Sequence, residues 1–191
     1  TIDEQIARAK IRLANAPECL SLPLDRPRDP HRTRRAGYLP ITLSSELTQA
    51  LNALAARQET TLFTLLLAAY GATLSRLANQ TTVVIGSPVA GRNHIETEGL
   101  IGFLVNTLAI PITLEANCIG LDLIAQTKKS VEQALIDQDL PFERLVDGLG
   151  VARSLAQTPV FQATFSFDID SGNSEASSIK LEKLKIEVIN H

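Results

Sequence analysis

Apolar residues recur every three or four positions over residues 3–15, placing Ile6, Ala9 and Leu13 on one face; this spacing predicts an amphipathic helix. A second helix is predicted over 45–58, capped by Ser44, with Leu47, Ala50, Leu51, Leu54 and Ala55 as its apolar stripe. A third, TLFTLLLAAYGATLSRLA over 61–78, is apolar on nearly every side and is expected to lie buried against a sheet, with Gly71 allowing another backbone to come close. TTVVIG reads as a short buried strand and SPVAGRNHIETEG as a turn-rich loop. FLVNTLAIPITL, 103–114, reads as a second strand whose Pro111 places its end at an edge or bulge. A long helix is expected over 121–138 with Val131, Leu135 and Gln138 on a shared face. Pro141 suits the first turn of a further helix, with Glu143 in that turn and Asp139 able to accept from a free amide there. Over 160–169, Phe161, Ala163, Phe165, Phe167 and Ile169 alternate with Gln162, Thr164, Ser166 and Asp168, the period of a half-buried strand. DSGNSEASS reads as a flexible loop; beyond it Ile179 and Leu181, then Leu184, Ile186 and Val188, alternate with a phase slip near Glu182–Lys183 that predicts a bulge or turn. Long helices mixed with strands make the fold class α/β or α+β.

Asn106 falls on the same strand face as Leu104 and Leu108. A buried amide must find partners or cost about 1–3 kcal/mol, so Asn106 is either a structural bracket or a polar group aimed at a ligand. The 17–40 stretch carries five prolines and reads as a connector. Its run RPRDPHRTRR has five arginines but no aromatic on which a base could stack, which favours a solvated connector over a nucleic-acid surface.

Composition adds little to this picture: 191 residues suffice for one domain or one large lobe, and a net charge of −3 points to neither nucleic acid nor anionic lipid. Cys19 and Cys118 are isolated, which suits a reducing compartment. No apolar run is long enough to span a bilayer and no signal peptide opens the chain, so a cytoplasmic location is expected. The chain begins at Thr1 inside a helical pattern and ends inside a strand-like one, as an excised fragment would.

Chemistry-bearing motifs are sparse. His31, His94 and His191 are mutually distant, which disfavours a histidine metal site. His94, beside Glu96 and Glu98, reads better as a solvated loop residue than as a general base. GSPVAG lacks Walker spacing and its lysine, and no GxSxG elbow is present. In DQDLPFERLV, Asp137, Asp139 and Glu143 are explained by capping and solvation rather than by metal or acid–base work. The residues alone stop at an α/β domain or lobe without a visible catalytic set.

The order GSPVAGRN, EGLIGFLVNTL, DQDLPFERLVD, TPVFQATFSF resembles the C-terminal half of a condensation domain of nonribosomal peptide synthetases, and LSLPLDRPRDP and TTLFTLLLAAYGATLSRLANQ fit the same family. The resemblance covers nearly the whole chain. It implies an α+β two-layer sandwich like a lobe of chloramphenicol acetyltransferase, a mixed sheet covered by long helices. Residues 1–40 would be the inter-lobe helix and connector, and 41–191 the C-terminal lobe, incomplete at its C-terminus. It also implies a tunnel between two lobes, to which carrier domains bring acyl and aminoacyl groups on phosphopantetheine arms, with no cofactor bound directly. The implied partners are an absent N-terminal lobe, donor and acceptor carrier domains and an adjacent adenylation domain, with neither nucleic acid nor membrane.

The family's HHxxxDG signature has no counterpart here, so no catalytic residue is assigned and the chain alone is expected to be inactive. Arg92 matches an arginine expected to pair with the aspartate of that signature; without it, Arg92 should be solvated or borrow another carboxylate. The loop from Pro88 to Gly99 would reach toward the partner lobe, and Asn106 and Thr107 would shape the tunnel. Gly102 and Phe103 belong to the IGFxVNT motif, and Gln138, Asp139, Pro141, Phe142 and Glu143 to QDxPFE, whose polar atoms suit a helix–helix corner. Arg153 and Pro159 match a last motif, RDxSRxPL, only loosely, since Ser154 and Gln157 replace its Asp and second Arg. A sister acyltransferase for epimerisation or heterocyclisation would be expected to alter these motifs, and a non-catalytic carrier-docking module is the alternative from another class. Exposure of the face toward the absent lobe is expected to drive self-association.

Overall fold

A computed structural model describes residues 1–26, 36–93, 95–151, 154 and 157–168, with only the backbone of Glu98. The expected features at Ile169 and 170–191, the three histidines, Arg153 and most of the arginine-rich run lie outside the described residues.

Among the described residues, six helices and three strands form, the strands making a mixed sheet ordered β2-β1-β3. Helix α1 spans Ile2–Arg12 and opens with a capping box between Thr1 and Glu4, which satisfies free amides at its start. Helix α2, Ser45–Arg57, is capped as expected by the Ser44 side chain, which accepts from the Leu47 amide. Its stripe is only partly covered: Ala55 is buried, Leu51 and Leu54 half-buried, and Leu47 and Ala50 exposed. Helix α3, Leu62–Ala78, starts at a Thr61 cap and ends at Asn79 in the left-handed conformation that asparagine tolerates. It is exposed only along Ala69, Thr73, Arg76 and Leu77, as its composition demands.

Strand β1, Thr82–Val89, outruns the predicted TTVVIG by three residues, and its antiparallel partner β2, Asn106–Thr113, starts three residues later than predicted. The register explains both ends. Pro88 pairs with Thr107 and Val89 with Asn106, so each strand stops where the other does. Pro111 lies opposite Val84 on a strand with β1 as its one partner among the described residues, the edge position a proline requires. Strand β3 is only Ala163–Thr164, parallel to β1, and is prolonged by the Phe165 amide on the Gly86 carbonyl and the Ser87 hydroxyl on the Phe165 carbonyl. The alternation over 161–168 survives in burial even where the ladder stops.

Helix α4 is the single turn Ile95–Glu98, α5 spans Gly120–Ile136 and α6 spans Phe142–Leu149. Helix α5 buries Leu123, Ile124, Thr127, Val131 and Ala134. Of the face predicted for it, Val131 is buried, Leu135 is exposed and Gln138 lies past the helix end. The spacing of 131, 135 and 138 is helical, but the sheet-facing stripe lies one position N-terminal to Leu135, on Ala134.

One cluster joins α2, α3 and α5 to Val83, Ile85, Leu108, Ile110 and Ile112 of the sheet. A second joins Ala9 and Leu13 of α1 to Val84, Ala109, Leu140, Leu145, Val146 and Phe161 on the opposite face. Helices therefore cover the sheet from both sides. At Gly71 the close neighbour is the Ile112 side chain rather than another backbone: a Cβ there would sit 2.6 Å from Ile112 Cγ2. Gly86 is tighter, with a Cβ falling 2.4 Å from the Phe161 ring, which itself packs tilted against Phe142 at 5.2 Å between ring centres. Gly86→Ala should therefore destabilise the fold by about 1–3 kcal/mol through overpacking. Denaturant unfolding checks this; adding Phe161→Leu should restore part of the loss.

The connector after α1 is strapped to the core. The Leu20 amide donates to Gln162 Oε1 at 2.6 Å, the Ser21 amide to Gln80 Oε1 at 3.1 Å, and Gln80 Nε2 to the Cys19 carbonyl at 2.9 Å. Two glutamines thus satisfy an irregular backbone that buries Leu20. Among the described residues no single helix is long and apolar enough to cross a membrane; α2 and α3 reach the required length only as a pair bent by 104°.

Candidate functional site

The motifs singled out in the sequence meet at one end of the sheet. Val89, the last residue of β1, lies opposite Asn106, the first of β2, and the α5–α6 corner abuts both. Asn106 is the bracket of that corner. Its Nδ2 donates to the Gln138 carbonyl at 2.8 Å and the Leu140 carbonyl at 2.7 Å, and its Oδ1 accepts from the Phe142 amide at 3.1 Å. An amide suits this position because one planar group offers two donors and an acceptor. The three backbone groups it satisfies belong to the turn leaving α5 and to the first turn of α6, where helices leave such groups unpaired.

Pro141 occupies the N-cap of α6 and offers no capping side chain of its own; the Asn106 side chain takes the Phe142 amide at that helix end instead. Asp139, expected to accept from an α6 amide, instead accepts from Asn93 Nδ2 at 2.9 Å and so ties the corner to the loop after β1. Glu143 is exposed in the first turn of α6, as expected. Phe142 turns its ring inward against Phe161, and Thr107 is half-buried.

Asp137 is not the capping or solvated carboxylate expected of it. Its side chain is 2% exposed and bridges two arginines of α1: Oδ1 accepts from Arg8 Nε at 3.0 Å and Nη2 at 2.5 Å, and Oδ2 from Arg12 Nη1 at 3.0 Å. Arg12 is 9% exposed and also reaches the Gln133 carbonyl. Hydrogen bonding to Asp137 raises the Arg8 guanidinium above its already high ordinary value. No local signal could have shown this cluster, because its partners lie 125 and 129 residues apart in sequence.

Arg92 does not behave as expected either. Among the described residues it neither stands free in solvent nor borrows a carboxylate: Nη1 donates to the carbonyls of Thr97 at 2.5 Å and Leu100 at 2.8 Å, at the end of the α4 turn. Gly91, at φ +65°, adopts a conformation that favours glycine, and a Cβ there would lie 1.9 Å from the Leu104 carbonyl oxygen. From this base an apolar segment projects outward. Leu100, Ile101, Phe103 and Val105 are all exposed, Phe103 at 90%, and a Cβ added at Gly102 between them would point into open space. The strand expected to start at Phe103 does not include Phe103 or Val105; both lie beyond the end of β1, with no strand to pair on.

Among the described residues no group of three or more histidines, cysteines or acids could hold a metal. A cleft of about 510 Å³ opens elsewhere, between the C-terminal ends of α1 and α6 and the 157–160 segment. The Glu18 carboxylate and the Ser154, Gln157 and Thr158 side chains are its polar ones. The site at the sheet's end is thus a fixed polar corner carrying an exposed apolar arm, with no assembled reaction centre among the described residues.

The chain belongs to the condensation domain family: the Condensation domain model matches residues 10–191. The relatives are peptide synthetases. Malpibaldin synthetase of Mortierella alpina is 37% identical over 187 residues, 98% of this chain and 3% of its own length. Phosphinothricin tripeptide synthetase PhsC of Streptomyces viridochromogenes is 40% identical over 174 residues, 91% of this chain and 16% of its own. A four-domain nonribosomal peptide synthetase crystallised with AMP and glycine superposes with a TM-score of 0.85 at 30% identity, covering 91% of this chain and 13% of that one. The X-domain from teicoplanin biosynthesis does so with 0.80 at 27% identity, covering 85% and 36%. The chain therefore spans between 3% and 36% of the length of these four proteins.

Proposed function

We propose that this chain is the C-terminal lobe of a condensation domain that joins a carrier-bound acyl or peptidyl donor to a carrier-bound aminoacyl acceptor, and that it is inactive alone. The observation that carries the reading is the exposed Leu100–Val105 arm on a chain matching only 36% of the X-domain chain: most of a domain of that size lies outside it, and this face offers apolar surface to receive it. The sequence contains no paired histidines and no HHxxxDG. Bringing an amine and a thioester to attack distance needs both walls of a tunnel, and the group that orients or deprotonates the amine comes from the other wall. Donor and acceptor carrier domains with phosphopantetheine arms, and an adjacent adenylation domain, complete the assembly in the cytoplasm.

Incubation with carrier-bound donor and acceptor should yield no dipeptide above the uncatalysed rate, and addition of the remainder of the parent domain should restore turnover. Dipeptide formation by the chain alone would end this reading. The chain should also self-associate through the uncovered face. Sedimentation velocity should show a concentration-dependent shift that Phe103→Ser removes.

A further inference from the structure

The cluster around Asp137 carries more positive charge than its one carboxylate answers. Arg8, Arg12 and Asp137 line an open groove of about 290 Å³ between α1 and the end of α5, with Ile11 and Ile136 also lining it. The two guanidiniums have unequal shares in the bridge. Arg12 is the buried partner, and its Nη1 links Asp137 Oδ2 to the Gln133 carbonyl. Arg8 is 49% exposed and directs Nε and Nη2 to the single oxygen Oδ1, so its Nη1 takes no part in the bridge. Glu4, one turn earlier on α1, is engaged by the N-terminal ammonium at 2.8 Å. The cluster also holds an orphaned donor: Arg12 Nε is buried with no acceptor among the described residues. A charged donor buried without a partner is costly, and an acceptor entering the groove would relieve that cost. Beside these charges Ile11 and Ile136 are open to solvent, at 78% and 67%. We propose that this groove docks a partner protein through an acidic side chain flanked by bulky apolar ones, the carboxylate taking Arg8 and the apolar neighbours covering Ile11 and Ile136. Charge complementarity selects the anion, because a guanidinium with a free edge is matched by a carboxylate. The open shape selects the source: small-molecule sites enclose most of their ligand, whereas this groove leaves both isoleucines uncovered for a segment lying across it. The inference does not depend on the proposed function.

The test uses the full chain and three probes: a capped leucine–glutamate–leucine peptide, its leucine–glutamine–leucine counterpart, and isocaproate. Binding is followed by NMR at the Arg8 Nε–H and at the Ile11 and Ile136 methyl groups. The glutamate peptide should move these signals saturably, and the glutamine peptide should bind about tenfold more weakly. Arg8→Gln should weaken the glutamate peptide about tenfold with the unfolding midpoint nearly unchanged, since Arg12 still holds Asp137. Ile136→Ser should weaken it as well, and added salt should weaken it more than the glutamine peptide. No saturable shift at Arg8, equal binding of the two peptides, or undiminished binding by Arg8→Gln would overturn the proposal. Isocaproate binding as tightly as the glutamate peptide would overturn it too, by making the groove a pocket for a free small acid.

Discussion

Asp137→Ala should cost about 3–5 kcal/mol, the largest loss expected from a single substitution, because it strands the buried Arg12 guanidinium without a counter-charge. Both carboxylate oxygens are used in the native cluster, and Arg12 would keep only the Gln133 carbonyl. For a chain of this length the melting temperature should drop by roughly 6–20 °C. Arg8→Ala should cost far less, since that side chain is half exposed and Arg12 still holds Asp137. The diagnostic variant is the double replacement Asp137→Ala/Arg12→Met. If the cost arises from the stranded charge, the double variant should be more stable than Asp137→Ala alone. If it is no better, the cluster matters through shape rather than charge.

Asn106→Ala should cost about 2–3 kcal/mol, because it leaves the Gln138 and Leu140 carbonyls and the Phe142 amide without their partner. Asn106→Asp should be at least as damaging at neutral pH. It preserves the acceptor for Phe142 but aims a carboxylate oxygen at two carbonyl oxygens that the native amide approaches at 2.7–2.8 Å. Denaturant unfolding gives the size of each effect, and exchange of the Phe142 amide gives its location. Protection of that amide in Asn106→Ala would show that the corner holds without its bracket.

Much of the fold is legible in the sequence because its signals are local. The Ser44 cap, the apolar girth of 61–78, the β-branched run at 82–85 and the Phe161–Phe167 alternation each state within a few residues what they will bury. The sequence leaves Asn106 two roles, bracket or ligand contact, and its three bonds select the bracket. What stays hidden depends on partners distant in sequence. Asp137 looks like any polar residue at a helix end until α1 arrives with two arginines. β1 runs through Pro88 because Thr107 waits opposite, a fact of register and not of propensity. The family resemblance gives Arg92 a carboxylate partner, whereas carbonyls five and eight residues along its own loop are within reach. Phe103 and Val105 read as strand because they are β-formers; the ladder that would have made them one ends at Val89.

The strap formed by Gln80 and Gln162, with the Asp137 cluster and the shared burial of Ala9 and Leu13, ties residues 1–22 to the remainder of the chain. For anyone exchanging pieces between synthetases, a crossover inside the connector would graft one parent's first helix onto another parent's second core. Matched pairs such as Arg12 with Asp137 would then be inherited from different ancestors. Exchanges that keep residues 1–22 together with the rest of the chain leave these co-dependent residues in one cassette.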